Sequence, residues 1–195
     1  MREFNISNDH IIVSNIYGWK VDGTLIAWQN LPNYFEEFVM ATGTIKWFAQ
    51  ALLDLGTKKH DLGADVIKVG IITSAVAPTL STADPRWGAG GTTNFSTNQV
   101  STGGTTYTGP LTLANKSWSN VSNVPTLRGD DITLAIDAAG FTNGAYAIIY
   151  NDTDAGKRAL GFIELSAAGS LSIQSGQVVI NFGGAGTDIL TLTQS

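Results

Sequence analysis

The stretch Ala145–Ser166 reads "AYAIIYNDTDAGKRALGFIELS". Two apolar runs, "AYAIIY" (Ala145–Tyr150) and "ALGFIELS" (Ala159–Ser166), flank the polar "NDTDAGK" (Asn151–Lys157). Short β-branched and aromatic runs bounded by Asn, Asp and Gly read as strands joined by a turn, because Asn and Asp side chains bond the local backbone. Asp152 and Asp154 also stand two residues apart, as at the start of a calcium loop. Gly156 then falls where a third ligand belongs, and Ile163 where the bidentate Glu belongs. The expected structure is a hairpin turn, with a weak cation site as the alternative and no metal ligand assigned.

Outward from this hairpin the same period recurs. "VIKVGIIT" (Val66–Thr73), "LTLANKSW" (Leu111–Trp118), "DITLAI" (Asp131–Ile136), "SLSIQSGQVVINF" (Ser170–Phe182) and "DILTLT" (Asp188–Thr193) are further strands. Clusters such as "AAGFTNG", "AAGS" and "GGAGTD" separate them. Many short strands with such turns predict a mainly β fold, an antiparallel β-sandwich or jelly-roll-like domain.

One amphipathic helix near the N-terminus breaks that pattern. Ile45, Phe48, Leu52 and Leu55 form an apolar stripe at helical spacing, which predicts a helix over 44–56 with that stripe buried. Thr44 suits its start and Gly56 a left-handed stop. The following "TKKH" (Thr57–His60) places positive charge at the helix C-terminus, with His60 read as one of those cations.

Residues 1–39 differ in character, holding seven of the eighteen aromatics, among them Trp19, Trp28 and Phe38. Two short strands, Ile11–Tyr17 and Thr24–Trp28, with an Asp-Gly turn signal between them, predict a hairpin. Met40 opens "MATGTIKWFAQALLDLG" as a fresh start would. Residues 1–39 are therefore either a docking arm or an upstream-translated extension, and residues 40–195 the β domain.

Only 14% of the residues are charged, the net charge is -5 and the pI is near 4.8. Nucleic-acid binding needs clustered Lys and Arg to neutralise phosphate, so this balance argues against it. No run approaches the roughly 20 apolar residues of a membrane-spanning helix. The opening residues lack the basic and apolar regions of a signal peptide, so a protein made in the cytoplasm is expected. With no cysteine in the chain, disulfides and thiolate metal sites are excluded.

The longest polar segment is Arg86–Pro110, "RWGAGGTTNFSTNQVSTGGTTYTGP". Its "GAGG" lacks the spacing and the following helix of a dinucleotide loop, and Gly156-Lys157-Arg158 lacks the pattern of a P-loop. No cofactor is expected. With two histidines and no nucleophile elbow or paired carboxylates, no catalytic residue is assigned and no enzyme activity is expected. A long polar connection whose one charge is Arg86 is instead expected to become ordered against a neighbouring molecule, since it has few charges to desolvate. Trp87, Thr92, Thr93, Asn94, Phe95, Tyr107 and Trp118 are the candidate interface residues. Trp87, Tyr107 and Trp118 are equally compatible with core packing, or with stacking on sugars in a carbohydrate-binding module.

From Met40 onward the order of elements resembles a family of small virion proteins of tailed bacteriophages. The resemblance lies in "WFAQALLDLG", "DVIKVGIITS", "TGPLTLANKSW", "AYAIIYNDT" with "KRALGFIEL", and the closing "GGAGTDILTLT". It implies a structural role on the particle, as a capsid decoration (cement) protein with the major capsid protein as partner, or as a tail or minor virion protein. Low charge, the unpartnered polar stretch and the three-fold sites of capsid lattices together lead to the expectation of a homotrimer on the capsid surface.

Overall fold

A computed structural model describes residues 45–166, 168–182 and 188–191. It also describes the backbone of three segments further upstream. The chain divides into two compact units, Met1–Phe35 and Glu36–Ser195. In the first, β1 (Gly18–Trp19) pairs antiparallel with β2 (Leu25–Ile26). The strand expected over Ile11–Tyr17 lies outside the described residues.

The second unit begins with β3 (Glu37–Ala41), β4 (Lys46–Trp47) and α1 (Ala49–Gly56). Next come β5 (Ile67–Ile72), β6 (Pro85–Arg86), β7 (Thr93–Asn94) and a 3-10 turn over Phe95–Asn98. β8 (Leu111–Thr112), β9 (Ser117–Val121), β10 (Val124–Arg128) and β11 (Ile132–Leu134) follow. β12 (Tyr146–Asn151), β13 (Ala159–Glu164), β14 (Gly176–Ile180) and β15 (Asp188–Thr191) complete the set. Among the described residues strands account for 36% and helical turns for 9%, so the expected mainly β fold, with antiparallel sheets and one α-helix, is what forms there.

The hairpin within Ala145–Ser166 is its centre. β12 and β13 pair antiparallel and lie inside a five-stranded sheet of order β4-β13-β12-β5-β8. Almost every residue of β5, β12 and β13 is buried. Strands covered on both faces need continuous apolar runs, which explains why these three do not alternate in the sequence. Two three-stranded sheets, β15-β10-β9 and β11-β14-β3, supply Leu127, Leu134, Val178 and Ile180 to the same core cluster.

Several expectations need correcting. The run Leu111–Trp118 is two strands, broken where Asn115 adopts a left-handed φ of 48°. Trp118 belongs to β9, whose hairpin with β10 turns through Ser122 and Asn123 at φ 52° and 68°. Two successive left-handed residues are what a two-residue hairpin loop requires, and "SN" signals this less clearly than "NG". β14 starts only at Gly176, and its partner β3 runs parallel to it. Residue 40 lies within β3, so the compact unit reaches back across the boundary drawn there.

The helix is the largest difference. It starts at Ala49, because Lys46 and Trp47 pair with Phe162 and Gly161, and Phe48 N–H bonds Leu160 C=O at 3.1 Å. Edge pairing thus takes the residues that would have made its first turn. Gly56 ends the helix in helical geometry, and Lys58 supplies the left-handed residue at φ 60°. The backbone N–H groups of Thr57, Lys58 and Lys59 close the last carbonyls.

Candidate functional site

Cross-strand partners share a face, so Gly70, Ile148 and Phe162 lie on one side of the five-stranded sheet. The segment Arg86–Pro110 covers that side. Trp87 stacks on Tyr150, with centroids 5.3 Å apart and planes 8° off parallel, and lies over Gly70. A Cβ at Gly70 would come within 2.2 Å of the Trp87 ring. Phe95 stacks on Phe48, which in turn meets Phe162. Tyr107 packs edge-on against Phe141, and its hydroxyl accepts from Ile71 N–H at 2.9 Å and from Gln99 Nε2 at 3.2 Å.

Three of the seven candidate interface residues, Trp87, Phe95 and Tyr107, are therefore core residues. Thr93 and Asn94 form β7, which pairs in parallel with Pro85 and Arg86, and both are half-buried. Asn94 Oδ1 caps the 3-10 turn by accepting from Ser96 N–H at 3.0 Å. Trp118 is half-buried against the core, and Thr92 is exposed. The expectation that this stretch awaits a neighbour is corrected: it orders against its own domain. Asp137 pins its far end by accepting from the N–H groups of Thr105 and Thr106. Those bonds stabilise the carboxylate and hold its pKa down at about 2.

A second feature gathers much of the chain's scarce charge beside the β12–β13 turn. Asp152 accepts from Lys68 and Lys157, both at 2.8 Å. Burial opposes its ionisation, yet these bonds leave its pKa below the ordinary value. Arg158 Nη1 binds Asp154 at 2.6 Å. The turn is thus held by lysine and arginine, which occupy the oxygens that a cation would use. Among the described residues no group of three His, Asp or Glu side chains is placed to hold a metal.

His60 sits at the edge of this network, and it is not a surface cation. Its side chain is 0% exposed and that of Asp54 only 8%. Asn151 Nδ2 lies 3.1 Å from His60 Nδ1 and donates to Asp65 Oδ2 at 2.6 Å. Asn151 Oδ1 accepts the N–H groups of Thr153 and Asp154. Gln50 donates to Asp54 Oδ1, and Arg158 Nε stands 3.6 Å from Asp54 Oδ2. Among the described residues, Asp54 Oδ2 and His60 Nε2 have no hydrogen-bond partner. Burial pushes the His60 pKa below 6.5, against the pull of Asp54, Asp154 and Asp65.

The most exposed large apolar side chains lie at α1 and just beside its start. Ala51 and Asp54 point inward from α1, whereas Leu52 is 49% and Leu53 60% exposed. The expected burial of Leu52 is thus overturned, and Leu55 is only partly buried. Ala49, Leu52, Leu53 and Gly56 follow helical spacing and form one outward stripe, all of them exposed. Ala49 N–H bonds Leu80 C=O at 2.9 Å, which places the exposed Leu80 at the start of that stripe. Of the predicted stripe, Phe48 is buried and Ile45 and Leu55 pack partly against the core, whereas Leu52 turns outward. A stripe shows that a helix has two faces and does not say which one the sheet takes.

Comparison of the chain with protein-family models, curated proteins and solved structures finds no match.

Proposed function

We propose that this chain is a non-enzymatic structural protein of a bacteriophage virion, a capsid decoration protein bound to the major capsid protein lattice as a homotrimer. The observation that carries this reading is the outward apolar stripe of α1, Ala49, Leu52, Leu53 and Gly56, continued by Leu80. A folded domain with a filled core gains nothing by showing leucines to water. Covering them against another subunit removes that apolar area at about 25 cal/mol per Å². The order of sequence elements from Met40 onward supports the same reading. A trimer at a three-fold lattice site engages three such faces at once, which raises avidity by about 10²- to 10⁴-fold without new contacts. A carbohydrate-binding module is less favoured, because two of its three candidate stacking residues, Trp87 and Tyr107, are buried.

Sedimentation of the full chain with purified capsids tests the proposal. The protein is expected to co-migrate with capsids and to raise their resistance to heat. Leu53→Glu, at an exposed position, is expected to keep the fold and lose attachment. Failure of the wild-type chain to co-migrate, or undiminished binding by Leu53→Glu, overturns it. Immuno-gold label on tails instead of heads redirects the reading to a tail protein.

A further inference from the structure

We propose that the contact between His60 and Asn151 is an acid-operated latch that holds the β12–β13 turn against the segment following α1. The inference rests on the commitment of every polar atom in the Asn151 side chain. Its oxygen accepts the backbone N–H groups of Thr153 and Asp154 at 3.0 and 3.1 Å. Its nitrogen must therefore face Asp65 Oδ2 and His60 Nδ1. An amide NH₂ only donates, so Nδ1 of the ring is the acceptor, and the neutral ring carries its proton on Nε2. That N–H points towards Asp54 Oδ2 across 3.9 Å, beyond hydrogen-bond reach.

A second proton has one place to go, which is Nδ1. There it confronts the Asn151 NH₂, donor against donor. Rotating the amide would offer its oxygen to the ring, but it would strip the acceptor from Thr153 and Asp154 N–H and turn a donor towards them. The ring therefore leaves Asn151, drawn towards the Asp54 carboxylate, and the turn loses one of its ties to the segment that carries His60, keeping those from Asn151 to Asp65 and from Val66 N–H to Thr153 Oγ1. The charged groups around the ring come from each packed element: Asp54 from α1, Asp65 from the segment before β5, and Asp154 and Arg158 from the turn. Three carboxylates to one guanidinium favour the charged ring, and Asp54 is the one that lies across from Nε2. Arg158 stays tied to Asp154 at 2.6 Å as the ring takes up Asp54.

The latch is tested on the full chain by NMR. The wild-type ring is expected to show the Nε2–H tautomer at neutral pH, and the Nδ1–H tautomer there overturns the proposal. On acidification, the amide protection of Thr153 and Asp154 is expected to fall before that of Ile148 in the sheet. The fall is up to about tenfold per pH unit below the unfolded histidine value, the slope for uptake of one proton on opening. Unchanged relative protection through the His60 titration overturns the latch. His60→Gln places a non-titrating amide at the same position and is expected to abolish the pH dependence, and its persistence in that variant also overturns the latch. Should His60→Gln fail to fold, the tautomer and the protection profile of the wild-type chain decide the matter.

Discussion

Gly70 lies beneath the Trp87 ring in a strand that carries Ile or Val at four of its other five positions. The strand carries glycine there because the ring occupies the volume of a side chain. Gly70→Ala is expected to cost about 1–3 kcal/mol by forcing the ring off Tyr150, read as a lower urea midpoint and altered tryptophan fluorescence. Asp137 supports a prediction of opposite character, in pH. Its folded pKa of about 2 lies below the ordinary 3.8, so its contribution is present above 3.8 and is lost as pH falls through about 2. Asp137→Asn is expected to flatten acid unfolding across that window, followed by circular dichroism. Neither role was legible in the sequence. A tryptophan, a phenylalanine and a tyrosine in a Gly/Thr-rich stretch look alike whether they fill a core or a partner's pocket. What separates them is the bare strand position at Gly70 and the carboxylate at Asp137, both distant along the chain.

At the scale of elements, α1 shows how periodicity and orientation come apart. Phe48, just outside the helix, is buried between Phe95 and Phe162, and Phe48→Ala is expected to cost about 3–5 kcal/mol. Leu53→Ser, on the outward stripe, is expected to stay within about 0.5 kcal/mol of the wild type. Denaturant titration of both variants checks the assignment, and equal losses would reverse it. The β9–β10 hairpin gives a second case. Asn123 holds φ at 68° in its loop, a conformation that costs a β-branched residue about 1–2 kcal/mol. Asn123→Val is expected to lose that much in the same titration. The β12–β13 hairpin was legible because its turn chemistry and apolar runs agree locally. β9 and β10 were not, because "SWSNVSNVPTLR" carries little apolar signal and its turn lacks glycine.

For the whole molecule, the Arg86–Pro110 segment is a layer of the domain, since it covers one face of the central sheet. Deleting Thr92–Thr106 removes Phe95 and Val100, both buried, and the Thr105 and Thr106 anchors of Asp137. The deletion is expected to abolish cooperative unfolding in calorimetry, whereas a dispensable loop would leave the transition intact. His60 adds a global pH dependence. Its folded pKa is lowered from 6.5, so its neutral, buried state stabilises the fold above that value. This stabilisation is lost as pH falls through the lowered folded value. Urea midpoints are expected to drop as pH falls below 6.5 in the wild type and to change less in His60→Gln.

The sequence by itself determined the class of fold, the central hairpin, the presence of a single amphipathic helix and the absence of thiol chemistry. Each depends on patterns within a few residues: two-residue alternation or an unbroken apolar run, a turn signal, a helical stripe, a missing residue type. Only the tertiary structure decided which face of α1 is buried, that the polar stretch closes over its own sheet, and that His60 is a neutral ring held by Asn151. These depend on partners such as Asn151 and His60, ninety-one residues apart in sequence. Whether a histidine is a surface cation or a buried acceptor is set by the desolvation and hydrogen bonding those distant residues impose, which local spacing does not encode.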